Sequence, residues 1–139
     1  MEAILPVIVL LFMNNNIKEN FNPTFQVHKL KLWKAKTKSE LKKGLMFRKK
    51  RLPNDHGMLF NYNKYADHSF WMKNTFIPLD MIFLNKKNNV IGVVENAEPH
   101  TLISRTIGKQ SYNAIEVNGG WIKKNNLNIG DKIRYTIIS

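Results

Sequence analysis

Asp80 is the side chain whose setting most asks for chemistry. It stands between Leu79 and Met81 in an otherwise apolar run. A carboxylate there needs a partner, because an unpaired buried charge is costly. Arg48 and Lys73 are candidate partners. Lys73, Asn74 and Thr75 precede Phe76-Ile77-Pro78 and place three hydrogen-bonding side chains at a strand-to-loop junction. Two chemistries fit this set. Asp80 works as an acid or base while Arg48 or Lys73 stabilises an anion. Alternatively, Arg48, Lys73, Asn74, Thr75 and Asp80 line a mouth that holds a polar ligand without turnover. A structural reading stands beside both. Asp80 then forms an ion pair or caps a turn, and Asn74 and Thr75 tie their own loop to its backbone.

Other candidates carry less. Asp55-His56 and Asp67-His68 are acid–histidine pairs in predicted turns, and His28 and His100 stand apart from them. Neighbouring residues rarely chelate one ion, and the spacing gives no metal set. Met46, Met58, Met72 and Met81 sit beside Leu, Phe or Trp, which reads as core filling rather than a copper(I) site. Trp33, Trp71 and Trp121 read as core or rim residues. Ser39, Ser69, Ser104 and Ser111 lack the setting of a nucleophile elbow. Gly119-Gly120 lacks the rest of a phosphate loop. The absence of cysteine excludes disulfides, thiolate nucleophiles and Cys-type zinc sites together. No cofactor is implied.

The elements that must position these residues are short. Phe25–Trp33 reads as a strand, with Val27, Leu30 and Leu32 apolar. Ser39 looks like an N-cap for a helix over Glu40–Phe47. Leu52–Gly57 has turn chemistry. Met58–Tyr62 and Phe70–Met72 read as the two arms of a hairpin. Leu79–Leu84 and Val90–Val94 form a second one. Pro99–Gln110 is loop-like. Tyr112–Val117 is a strand of alternating pattern, broken by Gly119-Gly120. Trp121–Asn125 is a helical turn, and Asn128–Asp131 a tight turn. Lys132–Ile138 is a closing strand. About seven short strands and one or two short helices predict a mostly β, α+β, barrel-like domain.

The 139 residues suit one domain, and 43% hydrophobic content supports a core. The net charge of +12 is uneven. Lys29–Arg51 holds eleven Lys/Arg and one acid, Glu40. Such a segment attracts nucleic acid or anionic membrane, or is simply a solvated face. Runs of Asn and Lys point to the coding bias of an AT-rich genome. Ala3–Met13 is wholly apolar, too short for a standard spanning helix but of the length of a signal-peptide core. Its start holds Glu2 and no basic residue, and no small-x-small cleavage site follows. A membrane-associated or exported leader and a structural arm are both open. Residues 1–24 are therefore leader and polar linker, and 25–139 the domain.

Four ordered stretches sharpen this reading: Gly44–Arg48, Gly57–Phe60, Trp71–Thr75 and Pro78–Phe83. With Glu116–Trp121 and Asn128–Asp131, they resemble domain-of-unknown-function family 192, also called uncharacterised protein family 0127. The resemblance runs over about Val27 to Ile137. It implies a compact barrel-like β domain with a short helix, an N-terminal signal or membrane segment in many members, and no established catalysis. The expectation is an exported or membrane-associated binding domain for a polar ligand or protein segment. The alternatives are an enzyme using Asp80, and a basic module docking through Lys29–Arg51.

Overall fold

The computed structural model describes residues 24–139. The predicted leader Ala3–Met13 lies outside the described residues. Six strands form one mixed sheet: β1 (Val27–Ala35), β2 (His56–Phe60), β3 (Leu79–Leu84), β4 (Val90–Ala97), β5 (Asn113–Asn118) and β6 (Lys132–Ile137). Two short helices accompany them, α1 (Lys38–Lys43) and α2 (Trp121–Lys124). The order across the sheet is β4-β3-β5-β2-β1-β6. β1 runs parallel to both its neighbours, and the remaining pairs are antiparallel.

The sheet curls without closing. At one corner its two edges meet. Val90 N–H donates to the Asp131 carbonyl, and Gly130 N–H to the Val90 carbonyl, both at 2.8 Å. Asn89 and Lys132 form an isolated bridge beside them. This is the barrel-like, mostly β domain that the spacing of short strands predicts.

Strand position decides burial. β3 and β5 are central, and every residue in them is buried. A strand covered on both faces reads as a continuous apolar run, which is what Leu79–Leu84 shows. β1 alternates, with Leu30 and Leu32 inward and Lys29 and Lys31 outward. The enclosed face packs Leu30, Leu32, Leu59, Ile82, Ile115 and Val117 against Trp121, Ile122 and Leu127. The outer face packs Phe60, Met81 and Phe83 beneath Leu45, Leu52, Phe70, Met72 and Ile77. Met72 and Met81 thus fill core space, as their apolar neighbours imply.

Two expected elements are corrected. Phe70–Met72 makes no hairpin with β2, because β2 is already flanked by β1 and β5 and has no free edge. Phe70 instead bridges Arg105. The helix cap is Thr37 rather than Ser39. Its Oγ1 accepts from Glu40 N–H at 3.1 Å, and the Glu40 carboxylate accepts from Thr37 N–H at 3.0 Å. This reciprocal pair is a capping box. The helix ends at Lys43, four residues early, because Gly44 turns the chain at φ 49° and ψ −127°.

Asp80 holds the two sides of the sheet's end together. It is fully buried, with 0% exposure. Its Oδ1 accepts from Asn96 N–H at 2.8 Å and its Oδ2 from Ile122 N–H at 2.9 Å. The first bond fixes the end of β4. The second caps α2, whose own N-cap position is Gly120 and has no side chain to do so. Asp80→Asn turns one acceptor into a donor that faces an N–H. It is expected to lower stability by about 2–3 kcal/mol, the scale of a lost charged hydrogen bond with a buried donor left unpaired. Urea unfolding of the variant beside the parent measures this.

Candidate functional site

A small cleft opens on the outer face of the sheet, where β2 and β5 run side by side. Phe60 and Glu116 form its floor. Gly44, Leu45 and Met46 make one wall, just past α1, and Phe70, Trp71 and Thr75 make the other. Tyr62 and Ser69 add hydroxyl groups, and Lys42 and Lys43 stand at the mouth. Its volume is about 160 Å³, room for a few heavy atoms.

The walls are held by local backbone geometry. Gly44 passes close over the floor, and a Cβ there would lie 3.0 Å from the Phe60 ring. Only glycine suits both that approach and its backbone angles. Phe47 and Asn74 both have positive φ, at 66° and 52°. Phe47 N–H donates to the Asn74 carbonyl at 2.7 Å, so the two walls are tied through their strained residues. Such strain costs about 1–3 kcal/mol per residue and collects at binding sites. Thr75 is fixed by its Oγ1, which donates to the Lys73 carbonyl at 3.1 Å. Tyr62 stacks on His68 with centroids 3.9 Å apart.

Glu116 is the unusual group. It is 5% exposed and lines the cleft with Phe60 and Tyr62, and among the described residues no group hydrogen-bonds its carboxyl. Burial pushes its pKa up to about 8. It is therefore largely a neutral acid at pH 7, able to donate one hydrogen bond and accept another. Tyr62 is pushed up to about 12, by burial and then by the charge that Glu116 acquires.

The set expected from the sequence is divided. Thr75 lines the cleft, and Lys73 and Asn74 lie in the adjoining loop, where Lys73 Nζ sits 5.1 Å from the Trp71 ring centre. Arg48 is turned elsewhere. Its guanidinium lies 5.1 Å over Trp33 and its Nε donates to the Lys50 carbonyl. Asp80 points to the opposite, enclosed face and meets neither Arg48 nor Lys73. The Asp80–Arg48 pair is thus replaced by backbone partners, because strand alternation sends residue 80 to the other side from residues 79 and 81. The acid–histidine pairs separate too. Asp55 accepts from the Trp121 indole at 3.0 Å and Asp67 from Thr106. His28 pairs instead with Asp131, Nε2 to Oδ2 at 2.9 Å. Among the described residues no three His, Asp or Glu side chains meet to hold a metal. Glu116 itself escaped the sequence reading. It sits in a strand of apparently alternating pattern, where an acid reads as a solvent position. The one available signal was its place at the head of the Glu116–Trp121 stretch.

Folded and unfolded forms bind protons differently because of Glu116. A carboxyl raised from 4.5 to about 8 binds more protons folded than unfolded between those values. The contribution of Glu116 to stability is therefore complete below about pH 4.5 and is lost as pH rises to about 8, by on the order of a few kcal/mol. Glu116→Gln is expected to flatten that slope and to be more stable than the parent at pH 9. Urea unfolding of both proteins across this range tests it.

A family model described as Uncharacterized ACR (DUF192) matches residues 20–135. A crystal structure from Sinorhizobium meliloti 1021, described as a "putative transcription regulator", is 33% identical and aligns with a TM-score of 0.70. The match covers 73% of this chain and 78% of that one. A protein of unknown function from Novosphingobium aromaticivorans DSM 12444 is also 33% identical, with a TM-score of 0.65. That match covers 78% of this chain and 73% of the other. No curated protein matches the chain.

Proposed function

The chain belongs to domain-of-unknown-function family 192, described only as uncharacterised, and from its own geometry we propose that it is a binding domain whose cleft over Glu116 takes the amino group of a small ligand. One observation carries this. Glu116 is a carboxyl of 5% exposure at the floor of a cleft, and among the described residues nothing hydrogen-bonds it. The other buried acids, Asp80 and Asp131, are each held by backbone N–H groups, so Glu116 is the buried acid whose hydrogen-bonding capacity is left to a ligand.

The surroundings suit an ammonium. Aromatic rings attract cations through their quadrupole, and Phe60, Tyr62, Phe70 and Trp71 line the cleft. Lys42 and Lys43 at the mouth favour a ligand whose far end is anionic or neutral. Four of the stretches that resemble the family, 44–48, 57–60, 71–75 and 116–121, converge on this cleft. Turnover has less support, because the lining offers no second carboxyl or histidine beside Glu116, only Lys42 and Lys43 at the mouth and Tyr62, whose proton is held tightly.

An ammonium paired with Glu116 pulls its pKa down, so binding at pH 7 releases close to one proton per site. Propylammonium is expected to shift the amide resonances of residues 44–46, 70–75 and 114–117. Calorimetry in buffers of different ionisation enthalpy reads the proton release, and Glu116→Gln abolishes both signals. Binding of acetate or xylose in place of propylammonium, or binding without proton release, refutes the reading.

The same proposal places the domain at or beyond a membrane, on the strength of the apolar run Ala3–Met13. Expression of the full chain in its host, followed by membrane fractionation and mass spectrometry of the N-terminus, is expected to find it cleaved or membrane-retained. A soluble chain with an intact N-terminus removes this part.

A further inference from the structure

We infer that the outer face of β1 and β6 is a docking surface for an anionic lipid bilayer. Strand alternation puts Val27, Lys29 and Lys31 on that face, and Lys132 and Arg134 join them from the far end of the chain. The register sets Val27 beside Lys132 and Lys29 beside Arg134. Among the described residues no helix covers this part of the sheet; α1 and the long loops lie over β2, β3 and β5. The result is a groove of about 830 Å³ along the two strands. The acid at its border, Asp55, is turned to the Trp121 indole. The other acid nearby, Asp131, is buried against His28 and the backbone. The field over the face is therefore positive.

Beside these cations stands an apolar tip. Phe25 is 58% exposed, Val27 48% and Ile129 62%. The Phe25 ring is seated on Gly130, where a Cβ would lie 2.5 Å from it, so its position is built and not incidental. Basic side chains next to protruding apolar ones match a bilayer surface, whose headgroups are anionic and whose acyl boundary is apolar. A nucleic acid would use the cations but leave the tip in water. The tip also lies where the chain enters the domain. The chain N-terminal to it includes the apolar run Ala3–Met13, so a bilayer holding that run lies within reach of the face.

The inference is independent of the Glu116 cleft. The test measures partition of the full chain onto vesicles of phosphatidylcholine alone and of phosphatidylcholine mixed with phosphatidylglycerol. The apolar run binds both kinds, so the ratio between them reports the face. Each basic residue close to an anionic surface is worth about a five-fold change in partition. Lys29→Asn with Arg134→Asn is expected to lower the ratio about 20-fold or more, on that scale. Lys64→Asn with Lys109→Asn, which removes the same charge elsewhere, is expected to leave it within about two-fold. Phe25→Ser with Ile129→Ser lowers partition onto the anionic vesicles, and raised salt brings the ratio toward one. A ratio near one for the parent overturns the inference. So does an equal loss in the two charge pairs, or a single-stranded oligonucleotide that strips the chain from the anionic vesicles at equal phosphate.

Discussion

The buried Asp80 carboxylate is the point on which the arrangement of the domain depends. β3 is covered on both faces, so every side chain on it must find an apolar contact or a paired polar one. Asp80 meets that demand with two backbone N–H groups from elements 16 and 42 residues away. It thereby closes the end of β4 and starts α2. α2 in turn carries Trp121 and Ile122 into the enclosed core. Without this anchor a four-residue helix has little to hold it, since isolated helices of that length do not persist in water. A net hydrogen-bond contribution of about 1–3 kcal/mol is a large part of the margin on which a domain this size stands.

The two buried carboxyls make a contrast. Asp80 and Glu116 lie on adjacent strands, on opposite faces, a register position apart. One is fully engaged by the backbone. The other lies in an aromatic-lined cleft and, among the described residues, has no partner. The fold tolerates the second because it keeps the group protonated across most of the physiological range, and so avoids the cost of a lone buried charge. A structural carboxyl and a poised one thus differ in what is offered to them, not in depth.

Much of the architecture could be read before the coordinates. β3 announced itself through Pro78–Phe83, β4 through its pairing turn at Asn85–Asn89, and α2 through the break at Gly119-Gly120. The mostly β class and the family followed from spacing and ordered motifs. What could not be read was partnership. The donors to Asp80 are backbone groups, and backbone groups leave no mark in a sequence. Phe70–Met72 looks like a strand, but whether it pairs depends on whether β2 has an edge to spare. Glu116 was hidden because an acid in an alternating strand is indistinguishable from one facing water until both neighbours of that strand are known. Thr75 lines the cleft, and the polar cluster at a strand's end is the local signal that drew attention to it.

The place of β1 has a further consequence, in time rather than space. Among the described residues it is the first strand, and it is flanked by β2 and by β6, the last of them. Its register with β6 joins residues about a hundred positions apart, from Val27 with Lys132 to Leu32 with Ile137. Contacts so distant are slow to form, because a long loop must close before they contribute. During synthesis β1 must wait for β6, about a hundred residues behind it, before its second edge is paired. Until then that edge leaves backbone N–H and C=O groups open to pairing with another chain.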